Sequence, residues 1–412
     1  MRRSTLLWGT LMPTLLTTYL LLHVVALLHD RGKATVHSSQ LENRLPPENC
    51  SLIKLFRLDK SQPVKSGWMK SVYFGKIGPE NVALKMVNPK GIDMQRCGSQ
   101  GHSISDCLKI MEEKLKKELS WLYILQGQYV VKLIGYCTDD SRLAIFTEAG
   151  RPVDMIELLQ TPWELRLKAV VDLVALLDLL GHYKLVLKDF KREQFVWVED
   201  NLKLTDLDDL SVEIRHCSML SDCALHGDEK SHKKSSQTVS CLNEECKDFG
   251  QLKNRVSAFE SIVEMSLSPG CPDNLNSLAE SIESDFIDAS VPLIKISEKL
   301  KLLINKFQQP LLSAYPNVSS EFFEYQNYTF QNSDEDYNCP GSFSREKCLL
   351  TAATITEALF MCLSRPTCGS LVMTNQKSWT GRTFVVLKKL ANPDKLRQES
   401  GVSSFIRRSP IT

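Results

Sequence analysis

Lys85, Glu118, Asp189 and Asp206 follow one another along the chain, and between them they offer the four groups that phosphoryl transfer from ATP demands. That chemistry needs a lysine on the phosphates, a carboxylate to hold the lysine, an acid to orient the acceptor hydroxyl and a second acid on a divalent metal. Lys85 closes the apolar run Val82-Ala83-Leu84-Lys85. Glu118 falls between Met111 and Leu125 on the wheel of the next helix, inside its apolar arc, where an unpaired carboxylate would be costly. Asp189 opens the segment Asp189-Phe190-Lys191-Arg192-Glu193-Gln194, in which Lys191 joins the catalytic set and Gln194 stands where a metal-holding amide is expected. Asp206 heads Asp206-Leu207-Asp208 and is the expected metal ligand. Gly67 is placed to lie over the phosphates, and Glu148, after a strand ending at Thr147, to offer backbone to adenine. Taken singly, Lys85 reads as a surface strand lysine and Asp206, Asp208 and Asp209 as a solvated turn. Calcium does not explain that cluster, because the EF-hand glycine and glutamate are missing. The order of four roles on suitable elements is what carries the reading.

Those elements are legible in the hydrophobic pattern. Two strands flank Gly78-Pro79-Glu80-Asn81 as a hairpin, and a helix over 106–126 carries Leu108, Met111, Leu115, Leu119 and Leu122 at helical spacing, stopped by Gly127. Strands follow near 129–137 and 143–147. The next helix is bounded by Thr161 and Glu164 as a capping box, Pro162 at its first position and Gly181 at its end; its nearly all-apolar interior places it in the middle of a lobe. Two short strands, Phe195–Val198 and Leu202–Thr205, then turn at Glu199-Asp200-Asn201, so that Asp189 and Asp206 emerge at one end of the sheet. Strands first and helices later give an α+β class: a bilobal, protein-kinase-like fold with a small disulfide-rich C-terminal unit.

The compartment is read from the N-terminus. Arg2 and Arg3 precede an uncharged stretch from Leu6 to Leu28 that would reach about 34 Å as a helix, enough to span a bilayer. It serves as a type II signal anchor or a cleavable signal peptide, and either way the rest of the chain is lumenal or secreted. Sequons at Asn49, Asn317 and Asn327 agree. An oxidising lumen makes the 13 cysteines disulfide candidates. Cys217 and Cys223, Cys241 and Cys246, and Cys362 and Cys368 are near neighbours, whereas Cys50, Cys97, Cys107, Cys271, Cys339 and Cys348 need longer links. Thirteen is odd, and Cys137, ending an apolar run, is the expected unpaired thiol. Zinc fails on spacing. With 50 basic and 49 acidic residues the net charge is +1, which excludes the electrostatic footprint of a nucleic-acid binder. The division expected is a targeting segment over 1–29, a lumenal stem over 30–66, a kinase-like domain over 67–310 and a glycosylated linker over 311–338. A cysteine-rich unit over 339–392 and a flexible tail over 393–412 complete it. In the cysteine-rich unit Trp379 is expected to pack and Arg382 to lie on the surface.

Three stretches carry a resemblance. The segments 147–160 (Thr147 to Gln160), 202–209 (Leu202 to Asp209) and 374–382 (Thr374 to Arg382) resemble the vertebrate lonesome kinase family, over most of residues 50–390. The resemblance implies an ATP-dependent enzyme using Mg2+ or Mn2+ that works in the Golgi lumen and outside the cell and phosphorylates tyrosines of secreted or lumenal proteins. It implies contact with the membrane only through an uncleaved N-terminal segment, and gives Lys85, Glu118, Asp189 and Asp206 the roles above. The chain departs from kinase patterns in three places: the glycine-rich loop is reduced to Gly67, Lys188 replaces the usual arginine, and no Ala-Pro-Glu motif follows. Lys191 is spaced as in serine/threonine kinases. Two other readings stand beside the first: a catalytically weak pseudokinase serving as an extracellular scaffold, and a lumenal kinase of glycan hydroxyls.

Overall fold

The computed structural model describes residues 45–59, 63, 65–139, 142–225, 237–312, 316–330, 336–389 and 393–408. The expected targeting segment lies outside them, and among the described residues no helix is long and apolar enough to cross a membrane. Helices and strands are mixed, with strands gathered first. β1 (Arg57–Leu58), β2 (Lys65–Ser66), β3 (Lys70–Ile77), β4 (Glu80–Val87), β5 (Leu133–Asp139) and β6 (Arg142–Glu148) form one antiparallel sheet in the order β1-β3-β4-β6-β5, with β2 also on β3. The β3–β4 hairpin is the predicted one, and Gly78 supplies the positive φ of +60° that its turn requires. Its register sets Val72 against Lys85.

The stem does not run free to residue 66. Cys50 is bonded to Cys137 in β5, the Asn49 N–H donates to the Tyr136 carbonyl at 2.9 Å, and the helix α1 (Ser51–Leu55) drops Leu52 into the sheet's core. Cys137 is thus not the unpaired thiol; Cys271, buried in the helical part, is. A short helix, α2 (Ile92–Ser99), is tied by Cys97–Cys107 to the long helix α3 (Ile104–Leu125). α3 begins two residues earlier than predicted because Ser103 caps it, accepting from the Asp106 N–H at 3.1 Å. Its buried face carries Met111, Leu115, Leu119 and Leu122, with Glu118 among them.

Beyond β6 come β7 (Arg151–Pro152), a one-and-a-half-turn helix α4 (Met155–Gln160) and α5 (Trp163–His182), whose Leu167, Val170, Leu173, Leu177 and Leu180 make it the centre of the helical part. The capping box expected at its start is absent: the Thr161 hydroxyl donates backwards to the Glu157 carbonyl at 2.8 Å, and Glu164 turns away from the helix end. β8 (Leu185–Leu187), β9 (Phe195–Val198), β10 (Asn201–Leu204) and β11 (Leu210–Val212) follow, β9 pairing with β10 and β7, β8 with β11. Helix α6 (Phe249–Ala258) closes over β8. Its Asn254 amide receives the Leu187 N–H at 3.0 Å and donates to the Leu185 carbonyl at 2.8 Å, acting as the missing strand. Gly250 permits that approach, since a Cβ there would stand 2.4 Å from Val186 Cγ2.

Between them the segment 217–246 is knotted by Cys217–Cys241 and Cys223–Cys246, bracketing two small strand pairs, β12 (Ala224–Leu225) with β13 (Gln237–Thr238) and β14 (Cys241–Leu242) with β15 (Glu245–Cys246). The neighbours Cys217 and Cys223 are therefore not bonded to each other. Cys339 and Cys348 are, nine residues apart, and so are Cys362 and Cys368.

Two further helices, α7 (Asn276–Ile287) and α8 (Leu293–Phe307), complete the helical part. The last unit is a five-stranded antiparallel sheet in the order β16 (Phe322–Phe330), β20 (Leu396–Arg407), β18 (Ser370–Lys377), β19 (Thr383–Lys388) and β17 (Cys348–Ala352), crossed by α9 (Ile355–Leu363). This corrects two expectations. The stretch read as a linker contributes strand β16, and the stretch read as a loose tail contributes β20, which lies between β16 and β18 and buries Val402, Phe405 and Ile406. Arg382, expected on the surface, is 2% exposed and ion-paired with the equally buried Glu357 at 2.6 Å.

Candidate active site

Lys85 sits on β4 facing α3, and both it and Glu118 are withdrawn from water. An isolated carboxylate there would be strongly disfavoured; Glu118 is matched instead by Lys85, whose Nζ lies 2.8 Å from Oε1. Lys85 also donates to the Thr205 carbonyl, which ties β4 to the loop that opens with Asp206.

A residue that no sequence motif singles out completes the cluster. Lys70, first residue of β3, places its Nζ 2.5 Å from Glu118 Oε2, 2.5 Å from Asp206 Oδ1 and 3.3 Å from Asp208 Oδ2. Glu118 thus takes one lysine on each oxygen. Burial alone would lower the Lys70 pKa, but Asp206, Glu118 and Asp208 outweigh it and raise it. Asp206, despite burial that opposes ionisation, is held well below the usual carboxylate range by Lys70 and Lys85. Asp208 is pushed the other way, up to about 7, by burial and the Asp206 charge, against the pull of Lys70. Neighbouring acids with opposed proton affinities are a feature that functional sites share with structural ion-pair networks.

Asp189 lies on the loop after β8, which β11 on one side and Asn254 on the other hold in place. The Lys188 N–H donates to the Asp209 carbonyl at 3.4 Å, and the Thr205 N–H to the Gln194 carbonyl at 2.9 Å, so the Asp189 and Asp206 loops are stitched side by side. The Asp189 side chain is 48% exposed and ion-paired with Lys191, whose pKa that hydrogen bond raises. An acid open to solvent can receive a hydroxyl from another molecule. Gln194 is buried; its Nε2 approaches Asp189 Oδ2 at 3.5 Å, while its Oε1 has no hydrogen-bond partner among the described residues. A buried amide oxygen left unpaired is costly unless a cation or water completes it.

The donors fit a hard divalent cation. Glu118, Asp206 and Asp208 each bring a carboxylate oxygen within 4.8 Å of the others, and Gln194 adds an orphaned oxygen on the adjoining loop. Oxygen-only ligand sets suit magnesium and manganese rather than zinc.

Gly67 occupies a tight hairpin turn between β2 and β3, closed by its N–H on the Lys70 carbonyl at 2.8 Å. The turn is pinned from below: Met69 O accepts from the Asn88 N–H and Trp68 O from the Asp93 N–H, while Gly91 leaves the room, a Cβ there falling 2.1 Å from Trp68 O. Glu148, expected to offer backbone to adenine, ends β6. Its N–H donates to the Lys132 carbonyl at 3.0 Å and its carboxylate holds Lys203 at 2.6 Å, so that N–H is not a free donor for adenine. The next N–H, of Ala149, is committed to Asn81.

No family model matches the chain. The human extracellular tyrosine-protein kinase PKDCC is 32% identical to it over 355 residues, covering 83% of this chain and 70% of that protein.

Proposed function

The chain belongs to the family of the extracellular tyrosine-protein kinase PKDCC, and from that premise we propose that it is a secreted or Golgi-lumenal protein kinase that transfers the ATP γ-phosphate to tyrosine hydroxyls of lumenal or secreted proteins. The observation that carries this is the buried Lys85–Glu118 pair lying against Asp206 and Asp208. Residues 46–312 supply the two lobes of a protein-kinase-like fold in this reading, and the sheet spanning 322–407 packs onto the second.

Lys85, fixed by Glu118 and the Thr205 carbonyl, binds the nucleotide phosphates. Asp206, Asp208 and Gln194 would hold Mg2+ or Mn2+, which would neutralise phosphate charge when bound. Asp189 accepts a hydrogen bond from the acceptor hydroxyl and orients its oxygen; Lys191, paired with Asp189, brings a positive charge to the point where the phosphoryl group arrives. With one glycine in the loop, fewer backbone N–H groups cradle the phosphates, so more of the positioning falls on lysines. Tyrosine as acceptor is supported by the family, while the spacing of Lys191 follows serine/threonine kinases.

The test is secretion of wild type and Asp189→Asn from a mammalian host, followed by labelling of a mixed secreted-protein substrate with radioactive ATP and phosphoamino-acid analysis. The variant is expected to be secreted normally and to lose transfer, with phosphotyrosine the labelled product of the wild type. Undiminished transfer by the variant overturns the assignment of Asp189, and label in a glycan or in serine overturns the acceptor.

A further inference from the structure

Lys70 has no place in the four-group scheme, yet it lies at the point where the scheme needs a cation. Its ammonium touches Glu118, Asp206 and Asp208, the three residues whose oxygens form the carboxylate cluster. With Lys85 the site holds two positive side chains against those three acids. Buried carboxylates of this kind repel one another and are stable only when paired. Here the pairing is done by a lysine, a compact charge on a flexible four-carbon stem with three donors.

We infer that Lys70 is a resident cation: it occupies the carboxylate cluster between turnovers, and loading of the site exchanges its ammonium for the divalent metal. The inference rests on the kinase reading for the identity of the metal but not for the exchange itself. The competition is electrostatic: an ammonium 2.5 Å from Asp206 and a dication on the same carboxylates repel each other and draw on the same negative charge. The position of Lys70 gives the displaced group somewhere to go. It begins β3 directly after the turn opened by Gly67, the turn that takes the place of a glycine-rich loop, so an ammonium leaving the carboxylates swings beneath that turn. One side chain then closes the empty site and adds a positive charge on the phosphate side of the loaded one.

The exchange predicts that metal binding to the nucleotide-free protein is held weak by Lys70. Mn2+ binding to the full chain, without nucleotide, is measured by electron paramagnetic resonance of the free ion for wild type, Lys70→Met and Lys70→Gln; the glutamine variant keeps a donor for the buried acids should the methionine variant not fold. Removing the ammonium is expected to tighten Mn2+ binding by about tenfold or more, and Asp206→Asn placed on top of either variant is expected to abolish the gain. Binding that is unchanged or weaker in the folded variant overturns the inference, as does a gain that survives Asp206→Asn. Phosphate transfer by the wild type, run in parallel, keeps the two readings apart: its absence sinks the kinase assignment, while the Mn2+ comparison alone judges Lys70.

Discussion

Thr380 reaches Glu164 across 216 residues of sequence, its hydroxyl donating to Glu164 Oε1 at 2.5 Å. Thr351 donates to the other carboxylate oxygen at 2.8 Å, and the Trp379 indole to the Glu164 carbonyl at 3.1 Å. The helix α5, which leads through β8 to Asp189, therefore starts on the C-terminal sheet. Glu164→Ala leaves two buried hydroxyls without an acceptor, at a cost on the order of 2–4 kcal/mol. Thermal melting of the purified protein should show a clearly lowered midpoint, and an unchanged one would remove this junction from the account of stability.

Arg382 and Glu357 make a second prediction of the same kind. Both are about 1% exposed in their side chains, and the guanidinium also donates to the Phe307, Gln309 and Thr351 carbonyls. Arg382→Met strands a buried carboxylate and should cost about 3–5 kcal/mol, whereas adding Glu357→Leu removes the stranded charge and recovers part of the loss. Denaturant unfolding of the four proteins in the cycle measures the coupling. A double variant no better than Arg382→Met contradicts it.

The third concerns Glu118, which holds Lys85 and Lys70 on separate oxygens. Glu118→Gln keeps the shape but offers one acceptor oxygen and no charge for two ammonium groups, so one lysine is released. A displacement of about 1 Å in a positioning group costs roughly a hundredfold in rate, and a fall of that order is expected in the turnover number. Wild-type turnover in this variant would mean that Lys85 is held by the Thr205 carbonyl alone.

How far the sequence reached is best judged from these residues. Lys85, Glu118, Asp189 and Asp206 were legible because each sits on an element with its own periodicity and their order is informative. Lys70 was not, since nothing local marks it; its partners lie 48 and 136 residues away. Glu164 looks like a local cap because it follows a threonine by three residues, whereas its partners come from β17 at Thr351 and from the turn between β18 and β19 at Thr380. The tail failed for a similar reason. Residues 397–400 are polar, and the apolar positions that bury β20 become a pattern only when β16 and β18 lie on either side.

Asp208 gives the pH prediction. Its folded pKa is raised from 3.8 to about 7, so between those values the folded chain binds a proton that the unfolded chain has released. Its contribution to stability therefore falls as pH rises from about 4 to about 7, by on the order of 1 kcal/mol per pH unit, and is level above. Asp206, depressed, acts in the opposite sense: its stabilising contribution is full above its unfolded value near 4 and is lost as pH falls below it. Melting curves of metal-free wild type and Asp208→Asn across pH 4–8 should converge on the acid side and separate towards neutrality. Parallel curves would show that Asp208 is ionised throughout.

Thiol chemistry gives the last. Burial pushes the Cys271 thiol up to about 12, so it should resist alkylation in the native protein and react once per chain after unfolding without reductant. Cys50→Ser frees Cys137 from a link spanning 87 residues, should cost about 2–4 kcal/mol and should raise the count under denaturing conditions to two. A native chain that reacts readily would mean Cys271 is accessible.

The central position of β20 has a consequence for synthesis. Of the five strands in its sheet it leaves the ribosome after all the others, yet it joins β16 to β18. Until it arrives, β16 has no partner in the sheet, and a bare strand edge is exposed to pairing with other chains. A stop codon within β20 would leave β16 unpaired and the helix α5 anchored to an unfinished sheet.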